Sequence, residues 1–158
     1  MNYKNVFLEG IACHLPNNIV TSSELEQRLA PLYDRLKLPY GRLDMMSGIK
    51  ERRFWDNGVS PSEVASIAGE SAIRKSGIDP SEIGCLINAS VCRDFLEPAT
   101  ASLVHHNLKL QPNAMIFDIS NACLGVLNGM IHVANMIELG QIRAGLIVAG
   151  ENGGPLID

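Results

Sequence analysis

The sequence has 158 residues, 46% hydrophobic and 19% charged, with a net charge of −4. Folded as one domain over 1–158, such a chain buries about 70% of its unfolded surface, enough for its own core. Mild acidity without clustered Lys or Arg argues against a nucleic-acid groove. The apolar runs fall short of the ~18 residues of a membrane span. The opening MNYKNVFLEG carries no signal-peptide pattern, because Glu9 interrupts a short apolar run.

In chain order, VFLEGIACHLP (6–16) predicts a first strand, stopped by Pro16. A helix then starts at Thr21, with Glu24 three residues on to complete a capping box, and Pro31 breaks or kinks it. Residues 34–55 hold Pro39, Gly41 and Gly48, which predicts irregular chain until a short strand near 51–55. Residues 60–77 carry the fullest helix signature: Ser60 as cap, Pro61 in first position, Glu63 to close the box and Gly77 as stop. IGCLINASV (83–91) has the near-continuous apolar character of a strand buried on both faces. EPATASLVHHNLKL (97–110) predicts a helix with Pro98 in its first turn, and AMIFDIS (114–120) another buried strand. A helix over roughly 124–139 and a strand at AGLIVAG (144–150) follow. Strands alternating with helices specify an α/β domain with a mainly parallel sheet.

The four cysteines, Cys13, Cys85, Cys92 and Cys123, are widely spaced with no C-x-x-C. This predicts reduced thiols in a cytoplasmic protein. No metal site is expected, since the pairs His105–His106 and Cys13–His14 are adjacent residues that point in different directions. GENGGP (150–155) follows a strand but lacks the glycine spacing of a dinucleotide or P-loop site.

FDISNACLGVLNGM (117–130) places Cys123 between an apolar strand and a helix of small and apolar residues. The helix is apolar over most of its circumference, which predicts burial in a core. Gly125 and Gly129 each cost about 1 kcal/mol against Ala in a helix interior, so close approach of another helix is expected to compensate. A thiol in the first turn feels unpaired N–H groups and the positive end of the helix dipole, which favour thiolate and an oxyanion beside it. The strand–turn–helix context resembles the turn that presents serine in hydrolases. The alternative is an inert, buried small hydrophobe. That second description is assigned to Cys13, Cys85 and Cys92, which lie in or just after apolar strands.

Residues 117–151 resemble the nucleophile region of the thiolase superfamily, in particular the 3-oxoacyl-ACP synthase III branch. SGIKERRFW (47–55) is similar to the family's T-G-I-R-E-R segment, and LINASVCRDFLEPATA (86–101) to the strand and helix that follow it. Residues 28–55 and 91–101 further resemble the olefin-pathway enzymes, which condense two fatty acyl-CoA molecules head to head. The resemblance implies the N-terminal half of a thiolase-like fold, with a buried central helix after Cys123. It implies Cys123 as the nucleophile that accepts an acyl group from an acyl-CoA or acyl-ACP thioester, with no bound cofactor. It implies Glu97 as the base, supplied across a homodimer. By residue chemistry alone Glu97 is a carboxylate that favours a helix N-terminus.

Two features depart from the family. Arg42 and Met46 stand where synthase III enzymes often hold a Trp and an Arg that clamp adenine, and Trp55 lies beyond that motif. The family's catalytic His and Asn come from a C-terminal half outside 1–158, and His14, His105, His106 and His132 match neither. His132 with Asn128 and Asn135 forms a polar seam on its helix. The expected function is a β-keto acyl thioester by non-decarboxylative Claisen condensation, within fatty acid metabolism. The alternatives are a decarboxylative synthase using malonyl-ACP, or a non-catalytic scaffold.

Overall fold

A computed structural model describes residues 2–153. The chain forms two compact units, one of Met1–His14 with Gly58–Asp158 and one of Leu15–Asn57.

In the smaller unit, strand β1 (Asn18–Thr21) leads directly into α1 (Ser22–Arg28). Thr21 accepts from Glu24 N, and the Glu24 carboxylate returns a bond from Thr21 N, so the expected capping box forms. The helix breaks at Leu29, and Pro31 sits in the first turn of α2 (Ala30–Leu36). The region expected to be irregular, 34–55, opens on the last residues of this helix and contains α3 (Arg42–Ser47), before β2 (Glu51–Phe54) pairs antiparallel with β1. The turns at Gly41 and Gly48 do not unravel the chain. They flank α3, each in the left-handed conformation that glycine adopts without penalty. Buried Glu26 holds α3 in place by accepting from Gly41 N, Leu43 N and Tyr33 OH.

In the larger unit, α4 (Pro61–Ser76) runs from the Ser60 cap to Gly77 as expected, but the box stays half-made: Ser60 Oγ accepts from Glu63 N, and among the described residues the Glu63 side chain returns no bond to Ser60 N. After a 3₁₀ turn at Pro80–Glu82 come β3 (Ile83–Asn88), α5 (Thr100–Leu108) and β4 (Met115–Asp118). A second 3₁₀ turn (Ala122–Leu124), α6 (Gly125–Glu138) and β5 (Ala144–Val148) complete the unit. The sheet is parallel with order β4-β3-β5. Leu86 of β3 points into a cluster with Ala65, Val104, Leu146 and Val148, from α4, α5 and β5. Cys85 and Ile87 point the other way, onto Val133 and Met136 of α6. A register shift between Ile83 and Cys85 turns Ile83 into the first cluster with Leu86.

Three expectations are corrected. Residues 6–16 form no strand. The chain runs against helices instead: just before this segment Tyr3 OH donates to Asn135 (2.9 Å) and Lys4 N and Asn5 N donate to Glu138, and within it Gly10 lies against Ala72 and Ser76. An apolar run becomes a strand only where a neighbouring edge offers backbone partners. Second, α5 starts at Thr100, so Pro98 lies in the preceding loop. Third, β4 is not buried on both faces: it forms the edge of the sheet, with Met115 exposed and Ile116, Phe117 and Asp118 half-buried, because only β3 has a neighbour on each side. The helix α6 buries its sheet face and leaves other apolar positions uncovered within this half. Gly125, Gly129, Val133 and Met136 face the sheet, while Leu124, Val126, Leu127, Met130 and Ile131 are exposed, Leu127 at 53%. Among the described residues no helix is long and apolar enough to cross a membrane.

Candidate active site

β4 carries the chain to the cysteine. Its end is tied to β3 by Ile119 N donating to Asn88 O at 2.9 Å. Asn121 opens the 3₁₀ turn, and Leu124 N donates back to Asn121 O at 2.9 Å. Cys123 sits inside this turn, two residues ahead of α6 rather than in its first turn, and is exposed. Ala122, just before it, has φ of 41°. A non-glycine residue in the left-handed region costs of order 1–3 kcal/mol and persists only where its surroundings over-determine it.

Those surroundings are specific. The Asn121 side chain donates to Asn128 Oδ1 at 2.6 Å, which ties the turn to the first turn of α6. Gly125 lies so close to the sheet that a Cβ there would stand 2.9 Å from Ala89 O. A Cβ on Gly129 would stand 3.1 Å from Ile147 Cγ2. The two glycines therefore answer to the sheet, not to a second helix. No side chain caps α6.

The other thiols have different surroundings. Burial pushes the Cys85 thiol up. Half-buried Cys92 is also pushed up, first by burial and then by Glu151. Cys13 is exposed rather than buried, because its segment is not a strand.

Glu97 is exposed on the loop between β3 and α5, before a cis bond to Pro98. Beside it, Phe95 and Leu96 project into solvent, Leu96 at 84% exposure. No hydrogen bond joins Glu97 to Cys123 among the described residues. The loop itself is held by three carboxylates that the sequence reading did not single out. Glu151 accepts from Val91 N (2.7 Å) and Cys92 N (3.1 Å). Asp94 accepts from Ser62 N (3.0 Å) and Ser62 Oγ (2.9 Å), so the second cap of α4 comes from this loop. Asp118 accepts from Thr100 N and Ala101 N, both at 2.9 Å, and so caps α5, which Ala99 cannot do. The available sequence signal was a helix opening on Ala99 with no capping side chain, which demands an acceptor from elsewhere.

Of the remaining candidates, His132 stands edge-on to Phe117, with ring centroids 5.7 Å apart. Asn128 and Asn135 bond Asn121 and Tyr3, so the polar seam on α6 is used within the larger unit. His105 Nε2 lies 2.9 Å from Gln111 O. Arg42 and Met46 stand one turn apart on α3 of the smaller unit, with Met46 exposed at 70%.

The whole chain is 46% identical to an acyl-CoA:acyl-CoA alkyltransferase of Shewanella oneidensis, covering 45% of that protein. It is 36% identical over 112 residues to a beta-ketoacyl-[acyl-carrier-protein] synthase III of Koribacter versatilis, covering 71% of this chain and 33% of that one. The crystal structure of acetamide-bound OleA from Xanthomonas campestris superposes with a TM-score of 0.94 at 41% identity, over 99% of this chain and 48% of that one. Other structures of that protein carry substitutions at a glutamate and at a cysteine 26 residues further on, and at a histidine later still. The chain thus spans about half the length of the relatives it matches. Residues 46–154 match the thiolase N-terminal domain, and the chain belongs to the thiolase family.

Proposed function

We propose that residues 1–158 form the N-terminal half of an acyltransferase that condenses two fatty acyl-CoA molecules through an acyl-cysteine. One observation carries this reading. Glu97 and Cys123 stand 26 residues apart, the spacing of the substituted glutamate and cysteine in OleA. The exposure of Cys123 on a turn under backbone constraint supports its role as nucleophile.

The Cys123 thiolate attacks the thioester carbonyl of one acyl-CoA, and the coenzyme A thiolate leaves. The Glu97 carboxylate of a second copy removes a proton from Cα of a second acyl-CoA. That carbanion attacks the acyl-Cys123 carbonyl, a carbon–carbon bond forms, and the Cys123 thiolate leaves. The product is a β-keto acyl-CoA. Exposure of Glu97 beside Phe95 and Leu96 suits a residue that reaches across a homodimer contact. The C-terminal half supplies the His and Asn, and the protein works in cytoplasmic lipid metabolism.

The likeness to a synthase III favours one other reading, a decarboxylative enzyme that takes malonyl-ACP and needs no such base. Glu97→Ala in the complete enzyme separates the two. Cys123 should still take up a long acyl group, while condensation of two acyl-CoA falls by ~10²–10⁴, as for a missing general base. Unchanged condensation would return Glu97 to a surface role and support the malonyl-dependent chemistry.

A further inference from the structure

The loop that bears Glu97 is not simply a connection. Its start, middle and end are each fixed by a carboxylate from a different place in the chain. Glu151, just past β5, takes the N–H groups of Val91 and Cys92. Asp94, inside the loop, grips both the backbone and the hydroxyl of Ser62 at the head of α4. Asp94 N donates in turn to Thr100 Oγ1 at 3.3 Å, and Thr100 N donates to Asp118 at the end of β4. Thr100 is fully buried. These bonds connect the sheet ends that carry Glu151 and Asp118 to a loop whose tip, Phe95–Pro98, is exposed and makes no side-chain hydrogen bond among the described residues.

Hydrogen bonds to ionised acceptors are shorter and stronger than neutral ones, so three carboxylates with two donors each form stiff clamps. The tip needs them, because Leu96 and Glu97 are exposed and contribute nothing to the core. A base must stand within hydrogen-bond reach of the proton it takes, and a misplacement of about 1 Å can cost ~10²-fold.

We infer that Asp94 and Glu151 are positioning residues: they hold the Glu97 loop at the fixed height from which its tip meets a second subunit. This rests on Glu97 acting as the base, and the test reads the two ideas separately. In the complete enzyme, amide hydrogen exchange at Val91 and Cys92 should be about tenfold faster in Glu151→Ala, since each N–H loses a charged acceptor. Glu151→Gln, which keeps one carbonyl oxygen, should fall between. Asp94→Ala should do the same at Ser62. Condensation should drop about tenfold to a hundredfold in both alanine variants, with uptake of the first acyl group by Cys123 unchanged. Unchanged exchange would overturn the proposal whatever Glu97 does. So would parallel loss of acyl uptake and condensation, which would make these carboxylates general supports of folding. Glu97→Ala provides the separate arm: if that variant condenses normally, the base assignment fails, and the exchange rates alone decide whether Asp94 and Glu151 hold the loop.

Discussion

At the scale of single residues, the thiols divide by environment. Cys85 and Cys92 are pushed toward the protonated form by burial, while Cys123 and Cys13 are exposed. The thiolate is the nucleophile, so limiting iodoacetamide at neutral pH should label Cys123 before Cys85 and Cys92 in the folded, complete enzyme. Mass spectrometry of the labelled peptides reads the order, and Cys85 or Cys92 labelling first would sink the nucleophile assignment. Cys13 is the informative control, because it is exposed without a helix following it. Glu26 makes the opposite use of a charge. The Leu43 N–H, then the Gly41 N–H and the Tyr33 hydroxyl, hold its carboxyl below the usual carboxylate range, against the effect of burial. A carboxyl lowered in the folded state stabilises it above the ordinary carboxylate range, and that contribution is lost as pH falls through the folded value. Glu24 is lowered by Thr21 and titrates in the same direction. Acidification should therefore loosen the smaller unit, and amide hydrogen exchange over residues 15–57 of the complete enzyme reports it. Glu26→Gln should weaken the unit at neutral pH and flatten this acid dependence. An equally steep acid transition in the variant would assign it to other carboxylates.

At the scale of an element, α6 explains how the cysteine turn is held. Its sheet-facing positions are Gly125, Gly129 and Val133, one per turn, followed by Met136. Small residues at the first two let the helix start close to the sheet ends where Ala89 and Ile119 lie. Two effects oppose each other in Gly125→Ala. Helix propensity favours alanine by about 1 kcal/mol. The added methyl meets the Ala89 carbonyl at 2.9 Å, and backbone does not step aside as a side-chain end can. Overpacking of this kind costs about 1–3 kcal/mol, so the variant should be net destabilised, with slower acylation because the Cys123 turn shifts with the helix. Urea unfolding of the complete enzyme measures the first effect and single-turnover acylation the second. A gain in stability would show that the helix has room to move.

At the scale of the whole molecule, the dominant feature is what the chain leaves uncovered. Leu124, in the turn just ahead of α6, and Val126, Leu127, Met130 and Ile131 on the helix form an exposed apolar face. Soluble monomers rarely show contiguous apolar patches beyond a few hundred Å². At about 25 cal/mol per Å², covering several hundred Å² is worth roughly 10 kcal/mol, comparable with the stability of a domain. Residues 1–158 alone should therefore be oligomeric, aggregated or partly unfolded, and catalytically silent. On the proposed two-half assembly, co-expression with a C-terminal half should restore solubility and acyl transfer together. Sedimentation of a well-folded monomer that turns over acyl-CoA unaided would overturn the two-half assembly.

Local signals in the sequence decided the helices that start at Ser22 and Pro61, because a cap and its partner lie within four residues of each other. They also decided the three strands of the parallel sheet, although only β3, in the middle, is buried on both faces as its apolar run predicted, while β4 at the edge is not. The cysteine turn was legible in the same way, from an apolar strand meeting a glycine-bearing helix. Only the tertiary structure decided what the apolar run at 6–16 becomes, since a strand needs an edge that no local pattern can promise. It alone decided which face of α6 is buried, because a helix apolar nearly all round carries no direction in its sequence. The clamps on the Glu97 loop were likewise out of reach. Glu151 meets residues 59 and 60 positions away, and Asp94 meets one 32 away. Such pairs leave no periodic trace, and folding alone brings carboxylate and N–H together.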